Sequence, residues 1–289
     1  LHCDPNDDYN LPQSEINKLL EPKIKALFMV NPSNPGAYAL SKDAVDSIGE
    51  IVRKKRKDLI IVSDNVYAPF TSQYNSLMEV CPKNTIEIFS LSKYFGVTGW
   101  RLGVVMIRKN NIFNKLIRDL PLKKKQQLRK KYSIVSLRPD TLTFMERVVL
   151  NSREVTEAHT GGLSTPQQVI LSMFIFSDMI DTKRVYKKEI QTILIKRLKL
   201  LYGELDYIPD INPESTDYYS LINIPLIAEK LFGKEARKKL MRTHYLRFLF
   251  HIAKKYKTVL LPGIGFDAGK RYYRISLANL KTEDYALIG

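Results

Sequence analysis

The chain has 289 residues, of which 44% are hydrophobic and 26% charged, the composition of a globular protein long enough to bury a sizeable core. Its two cysteines, Cys3 and Cys81, exclude a disulfide scaffold and favour a reducing, intracellular location, which we expect to be the cytoplasm. The net charge of +16 raises nucleic acid as a partner, but no zinc-ligand spacing or aromatic RNA-binding signature accompanies it.

Three short apolar runs in the first third of the chain predict strands of a parallel sheet. They cover 25–31, 58–64 and 85–92, and each is apolar almost throughout, as in strands that are covered on both faces. Between the first two, residues 41–57 carry apolar side chains at helical spacing, and we expect Ser41 to be the N-cap. Together they predict a βαβ unit, and a fourth apolar run follows at 101–107.

The rest of the chain predicts helices followed by a smaller α/β domain. Residues 112–160 are charged and carry few strand signals, so we expect helices and connecting loops. Thr165 precedes Pro166 and is expected to cap the next helix. Residues 182–203 predict an amphipathic helix whose buried side comprises Val185, Ile193, Leu194, Leu198 and Leu201. A second helical tract, about 226–256, leads into strand-like runs at 258–263 and 271–280.

Basic residues concentrate in three runs, at 53–57, 123–131 and 229–239. The first and last fall on helical patterns with an apolar opposite side, which predicts solvated helix faces rather than a nucleic-acid site. The strongly apolar stretches are too short to span a bilayer. We therefore expect neither nucleic acid nor a membrane as a partner.

Polar side chains follow each of the three predicted parallel strands. Asn34 lies in NPSNPG after the first strand, Asp64 and Tyr67 end the second, and Ser90 and Lys93 end the third. Taken singly, these residues have structural explanations as a turn, a helix cap or a core tyrosine. Ligands of open parallel sheets, however, bind beyond the carboxyl ends of the strands. The three strand ends therefore predict one shared site.

These motifs, in this order, resemble those of the fold-type I aminotransferases, which depend on pyridoxal 5′-phosphate. The stretch SLSKYFGVTGWRLG (90–103) is similar to the lysine motif of the family, NPSNPG and DNVY lie upstream, and YYRISLAN is similar to its carboxylate-binding arginine motif. The resemblance covers essentially the whole chain. It implies an α/β fold in which a three-layer large domain, with a mostly parallel sheet that is incomplete here, is joined to a smaller C-terminal α/β domain.

The resemblance also implies a division of the chain. Residues 1–111 would be the C-terminal part of the cofactor-binding large domain, 112–164 a helical insert and interdomain connection, and 165–289 the interdomain helix and small domain. In this family about half of the protein precedes the position of Leu1 and supplies an aromatic residue that stacks on the cofactor. We therefore expect that the chain belongs to a longer protein, or that another chain supplies the rest.

The resemblance assigns roles around the cofactor ring. Lys93 would form a Schiff base with the cofactor aldehyde and later act as general base at the substrate Cα. Asp64 would pair with the ring nitrogen and keep it protonated. Tyr67 and Asn34 would both hydrogen-bond the phenolic oxygen of the ring.

The remaining roles concern the phosphate and the substrate. Ser90 and Arg101 would hold the phosphate, through a hydroxyl and a guanidinium. Ser92 would assist, with a role as a small packing residue left open. Arg274 would bind the α-carboxylate of the substrate in bidentate fashion, with Asn34 beside it. No metal ligand is implied.

Within the family, the segments 112–160, 159–169 and 260–280 are similar to the bifunctional aspartate aminotransferase/aspartate 4-decarboxylase group. This implies a transferase and lyase of amino-acid metabolism that converts L-aspartate to L-alanine and carbon dioxide, transaminates it with a 2-oxo acid, or does both. Two alternatives stay open: an aspartate or broad-specificity aminotransferase without decarboxylase activity, and an aminotransferase-like domain of a DNA-binding regulator. The family also implies a homo-oligomer, a dimer or larger, whose subunits share active sites.

Overall fold

The computed structural model describes residues 1–3, 9–154, 163–203, 205 and 212–289, so that the first four residues of the 159–169 motif lie outside the described residues. The described strands form two sheets. They are β1 (Ala26–Val30), β2 (Ile60–Asp64), β3 (Thr85–Ser90), β4 (Gly103–Ile107), β5 (Tyr219–Asn223), β6 (Leu261–Pro262) and β7 (Tyr272–Ser276).

Helices connect and cover these strands. They are α1 (Gln13–Ile16), α2 (Lys42–Lys54), α3 (Leu77–Val80), α4 (Leu91–Tyr94), α5 (Phe113–Arg118), α6 (Leu122–Tyr132), α7 (Phe144–Ser152), α8 (Thr165–Ile180), α9 (Val185–Gly203), α10 (Ile224–Phe232), α11 (Lys234–Arg242), α12 (Tyr245–Tyr256) and α13 (Asp284–Ile288). Within the described ranges, none of them is long and apolar enough to cross a bilayer.

The first sheet has the order β1-β2-β3-β4 and confirms the four strands predicted in the first third of the chain. The first three strands run parallel, and β4 pairs with β3 in antiparallel orientation. The helix expected between β1 and β2 is α2, and the Ser41 hydroxyl accepts a hydrogen bond from the Ala44 amide at 3.3 Å, as an N-cap does. The parallel arrangement places the carboxyl ends of β1, β2 and β3 at one edge.

The two faces of this sheet differ in their cover. On one face, Leu27 and Ile61 are buried in one core cluster with apolar residues of α2, which include Val45 and Ile48. Phe28 and Val105 lie on the opposite face and are exposed. The expectation that the strands are covered on both faces therefore fails at these positions of the described chain. By strand alternation, Asp64 and Ser90 share this open face.

The second sheet is antiparallel, with the order β5-β7-β6, and joins the first through a common core. The shared core cluster includes Tyr67 from the segment after β2, Leu198 and Leu201 from α9, Tyr219 from β5 and Leu277 after β7. The turn after β1 is fastened to the segment before β5, because the Thr216 amide donates to the Ala37 carbonyl at 2.7 Å. These contacts fix the strand ends of the first sheet against the second sheet.

Two details of the predicted helices are wrong: the N-cap residue of α8 and the burial of two side chains in α9. The cap of α8 is Ser164 rather than Thr165, since the Gln167 side chain accepts from the Ser164 amide at 3.0 Å and Thr165 is already helical. Both residues carry hydroxyls, so composition did not separate them. In α9, Leu194, Leu198 and Leu201 are buried as predicted, whereas Val185 and Ile193 are exposed.

The basic runs are largely solvated, with one exception. In the run at 53–57, Arg56 is buried and its guanidinium donates to the carbonyls of Leu19 at 2.7 Å, Glu21 at 2.6 Å and Ile24 at 2.5 Å. It therefore ties the end of α2 to the segment before β1. The predicted tract at 226–256 is three helices. Gly233, at a φ of 82° that favours glycine, separates α10 from α11, and α12 begins after a second break that follows Arg242.

The shared core predicts a specific loss of stability. Leu277 is 0% exposed, so Leu277→Ala should lower the free energy of unfolding by about 2–5 kcal/mol, as measured by urea denaturation. Leu287 is 86% exposed, and Leu287→Ala serves as the matched control with an expected change of at most about 0.5 kcal/mol. Equal effects of the two changes would contradict the assignment of Leu277 to the common core.

Candidate active site

Most of the predicted site residues lie at or just after the carboxyl ends of the parallel strands of the first sheet. Asp64 is the last residue of β2, and Tyr67 follows three positions later. Lys93 lies in α4, which begins directly after β3. Asn34 lies in the turn after β1, where the Asn31 side chain accepts from the Leu40 amide at 2.9 Å and holds the turn closed. Parallel pairing thus brings these segments to one edge of the sheet.

Arg274 reaches this edge from β7 of the second sheet. Its Nη1 donates to Oδ1 of Asn34 at 2.8 Å, a contact between residues 240 positions apart. The guanidinium carbon lies 4.3 Å from the centre of the Tyr219 ring and 4.1 Å from that of Phe266. Aromatic faces at these distances attract a cation, so the two rings and Asn34 hold the guanidinium in place.

One donor of this guanidinium is left without an acceptor. Nε of Arg274 is buried and has no hydrogen-bond partner, and among the described residues no carboxylate forms an ion pair with Arg274. Buried donors in folded proteins are nearly always paired. A planar guanidinium with an open edge matches the two oxygens of a carboxylate. The geometry therefore indicates a site for a carboxylate ligand.

Tyr67 is connected to Arg274 through Tyr219. The hydroxyls of Tyr67 and Tyr219 lie 2.9 Å apart, and both side chains are buried. Burial, followed by the hydrogen bond with Tyr219, raises the pKa of Tyr67 above its ordinary value, while the charge of Arg274 acts in the opposite direction. Tyr67 therefore keeps its proton at neutral pH and is available as a hydrogen-bond donor.

Lys93 and Asp64 retain free functional groups. The Lys93 side chain is partly buried and makes no hydrogen bond or ion pair with the described chain. Asp64 accepts one hydrogen bond through Oδ1, from the Val66 amide at 3.1 Å. An amine and a carboxylate that the fold leaves largely unpaired at neighbouring strand ends are available for a ligand.

The predicted phosphate-binding residues make their described hydrogen bonds within their own motif. The Ser90 hydroxyl accepts from the Ser92 amide at 3.2 Å and lies 3.4 Å from the Leu102 carbonyl. Arg101 is exposed, and its Nη1 donates to the Thr98 carbonyl at 3.3 Å. Its φ of 55° lies in the left-handed region, which non-glycine residues adopt rarely and more often at functional sites. The role of these residues toward a phosphate stays a prediction.

Sequence reasoning missed Tyr219 and Phe266. Tyr219 pairs with Ser276 and Leu221 with Arg274, so Tyr219 and Arg274 are diagonal neighbours on one face of the second sheet. The alternation of the strand containing Tyr219 was a usable signal, but its register against β7 was not visible. Phe266 ends a 3₁₀ turn, Gly263–Phe266, for which the sequence offered only turn composition.

The arrangement has the chemistry of an organic-ligand site. It combines an amine, a carboxylate, a protonated phenol, an amide and a clamped guanidinium, contributed by Lys93, Asp64, Tyr67, Asn34 and Arg274. No group of three or more His, Cys, Asp or Glu side chains that could hold a metal occurs within the described ranges. Such a set can bind a carboxylate and move a proton at an adjacent carbon.

Comparison with known proteins gives a consistent family match. The profile of the family Aminotransferase class I and II matches residues 1–287. The bifunctional aspartate aminotransferase and L-aspartate beta-decarboxylase of Pseudomonas sp. is 39% identical over 292 aligned positions, which cover 100% of this chain and 55% of that protein. The aspartate aminotransferase of Sulfolobus acidocaldarius is 27% identical and covers 93% of this chain and 56% of its own length. The chain thus spans about half the length of these curated relatives.

Solved structures show the same fold. Aspartate aminotransferase from Thermotoga maritima matches 99% of this chain and 60% of its own, with a TM-score of 0.62 at 17% identity. A PLP-dependent aminotransferase from Streptococcus suis matches 99% of this chain and 61% of its own, with a TM-score of 0.65 at 15% identity. These likenesses confirm the predicted α/β architecture.

The carboxylate site can be tested with succinate as the probe. Because a lysine cannot reproduce the planar fork held between the two rings, Arg274→Lys should weaken succinate binding about 10- to 100-fold, as measured by calorimetry on the native protein. The exposed Arg242 provides the matched control, and Arg242→Lys should leave the affinity unchanged. Unchanged affinity in Arg274→Lys would place the carboxylate elsewhere.

Proposed function

Because this chain belongs to the class I and II aminotransferases, a family that depends on pyridoxal 5′-phosphate, we propose that it acts on L-aspartate, by β-decarboxylation to L-alanine and carbon dioxide, by transamination with a 2-oxo acid, or by both. The observation that carries the proposal is Arg274, a clamped guanidinium with an open buried edge, hydrogen-bonded to Asn34 at the strand ends. The identity of 39% to a bifunctional relative over the whole chain supports the decarboxylase part.

The residues present fit this cofactor. An aldehyde needs an amine, and Lys93 carries one that makes no hydrogen bond or ion pair with the described chain. A protonated ring nitrogen needs a carboxylate, and Asp64 has its Oδ2 free of hydrogen bonds in the described part of the chain. When bound, the cofactor supplies an aldehyde that joins to amines and a ring that accepts electrons.

Lys93 is proposed to carry the proton transfers. Its Nζ would hold the cofactor first and, once the substrate amine replaces it, would take the proton from Cα of aspartate. Transamination and β-decarboxylation share this transfer, so Lys93 serves both. Asp64 would keep the ring nitrogen protonated by accepting its hydrogen bond.

The second sheet is proposed to orient the substrate. Arg274 would bind the α-carboxylate through its open edge, with the Asn34 amide fixing the guanidinium and reaching the phenolic oxygen of the cofactor. Tyr67 would donate to the same oxygen, which its raised pKa supports. Ser90 and Arg101 would hold the phosphate, and the left-handed backbone of Arg101 supports a role beyond packing.

We also propose the organisation expected from the sequence, with large-domain residues 1–111, an insert and connection at 112–164 and the small domain at 165–289. A core cluster formed only by residues of the first part supports the first division. Assembly into a homo-oligomer is supported by exposed apolar residues on α8, among them Val169, Met173 and Phe176. A cytoplasmic location stays a prediction.

The second candidate is an aspartate aminotransferase without decarboxylase activity. It is favoured by the match to the Sulfolobus acidocaldarius aspartate aminotransferase over 93% of this chain. Every cofactor role proposed above serves this activity equally well, because the two reactions separate only after the first proton transfer.

The role of Lys93 predicts a coloured protein. The native protein supplied with pyridoxal 5′-phosphate should show the absorbance of the lysine-bound cofactor, and Lys93→Ala should lose it because the amine that is proposed to bind the aldehyde is removed. The control is Lys83→Ala, which replaces an exposed lysine before β3 and should leave the band unchanged. A Lys93→Ala protein that keeps the band would contradict the assignment.

The two candidate activities predict different products from L-aspartate. If the protein is bifunctional, L-aspartate alone should release carbon dioxide and accumulate L-alanine, measured by gas evolution and amino-acid analysis. Oxaloacetate that forms only when 2-oxoglutarate is added, without carbon dioxide, would support the plain transaminase instead. Lys93→Ala should abolish both outcomes.

A further inference from the structure

We propose that Tyr219 is a positioning residue that couples Arg274 to the hydroxyl of Tyr67. Carboxylate binding at Arg274 and the hydrogen bond from Tyr67 to the cofactor oxygen would then depend on the same side chain. This inference rests on the proposed function and adds a residue that no sequence motif marked. It follows from two contacts made by one side chain, one through its ring and one through its hydroxyl.

The ring of Tyr219 holds the guanidinium. Its centre lies 4.3 Å from Cζ of Arg274, and the side chain is 8% exposed, so water does not screen the attraction strongly. Phe266 supplies a second ring at 4.1 Å, but it comes from a turn rather than a paired strand. Tyr219 is thus the clamp that the sheet itself positions.

The hydroxyl of Tyr219 is the hydrogen-bond partner of the Tyr67 hydroxyl. Both hydroxyls can donate and accept, and at 2.9 Å either can be the donor. Without a ligand, Tyr67 can donate to Tyr219. When a ligand oxygen accepts the Tyr67 proton, the Tyr219 hydroxyl can turn and donate to the Tyr67 oxygen instead. Tyr67 therefore stays hydrogen-bonded in both states, which a phenylalanine at position 219 cannot achieve.

The charge of Arg274 favours the second arrangement. A cation close to an aromatic ring withdraws electron density and makes the phenol a better donor. Tyr219 therefore donates more strongly to Tyr67 because Arg274 lies beside its ring, and Tyr67 in turn becomes a stronger donor toward a ligand. A carboxylate bound to Arg274 offsets the charge of the guanidinium. Binding at Arg274 therefore changes the strength of the hydrogen bond that Tyr67 donates.

Tyr218 offers a matched comparison in the same cluster. Its ring lies 5.3 Å from the ring of Tyr67 and 4.8 Å from that of Phe70, and it is as buried as Tyr219. Neither a hydrogen bond to Tyr67 nor a contact with the Arg274 guanidinium is made by Tyr218 in the described structure. Loss of the Tyr218 hydroxyl therefore tests for nonspecific effects on this cluster.

The hydroxyl is tested by titrating the absorbance of the lysine-bound cofactor in the native protein. Tyr219→Phe keeps the ring over Arg274 but removes the donor to Tyr67, so the phenolic oxygen is less well stabilised in its charged form. The pH midpoint of the absorbance change should rise by roughly 0.5 to 1 unit, the effect of one hydrogen bond. Tyr218→Phe should leave the midpoint in place. A downward shift or no shift in Tyr219→Phe overturns the coupling.

The ring is tested by succinate calorimetry on the cofactor-free protein. Tyr219→Phe should bind succinate within twofold of the native protein, whereas Tyr219→Leu should weaken binding roughly 3- to 30-fold because the cation–π contact is lost. Equal affinities in all three proteins overturn the clamp. If Tyr219→Leu does not fold, the pH midpoint of Tyr219→Phe, which retains the packing volume, still decides whether Tyr219 is coupled to Tyr67.

Failure of this inference is distinguishable from failure of the proposed function. If the native protein takes up no cofactor, the proposed function fails and the coupling fails with it. If the native protein binds cofactor and succinate but Tyr219→Phe titrates like the native protein, only the coupling is overturned.

Discussion

The guanidinium of Arg274 is the constraint around which the candidate site is organised. It lies between two aromatic rings, donates to Asn34, and keeps a buried Nε without an acceptor. A partly buried cation with no carboxylate partner in the described chain is costly unless an anion arrives. The buried Nε of Arg274 is therefore the position at which a ligand carboxylate is proposed to bind.

The two sheets contribute different parts of the candidate site. The parallel strands of the first sheet bring reactive groups to one edge, whereas the antiparallel pair of β5 and β7 aligns Tyr219 with Arg274 on one face. The common core through α9 joins them, and the bond from Thr216 to Ala37 fastens the loops. The precision of the site depends on this docking more than on either sheet alone.

Apolar runs and strand-end chemistry predicted much of this arrangement from the sequence. The four strands of the first sheet and α2 with its Ser41 cap were local patterns, and Asn34 meets Arg274 as a shared site requires. Tyr219 and Phe266 were not predictable, because their roles depend on strand register and on the docking of segments far apart in the chain. Arg56 was misjudged for the same reason, since its carbonyl partners lie in the segment before β1, more than 30 positions away.

The long sequence separation within the site has a consequence for the order of folding. Asn34 and Arg274 are 240 positions apart, and Tyr67 and Tyr219 are 152 apart. Contacts of such separation form late, because the intervening chain loses conformational entropy before they close. During synthesis the lysine-bearing strand end emerges long before β7, so the contact between Asn34 and Arg274 forms only after β7 has been made and has packed. The proposed carboxylate position is therefore absent from any folding intermediate in which β7 has not yet packed.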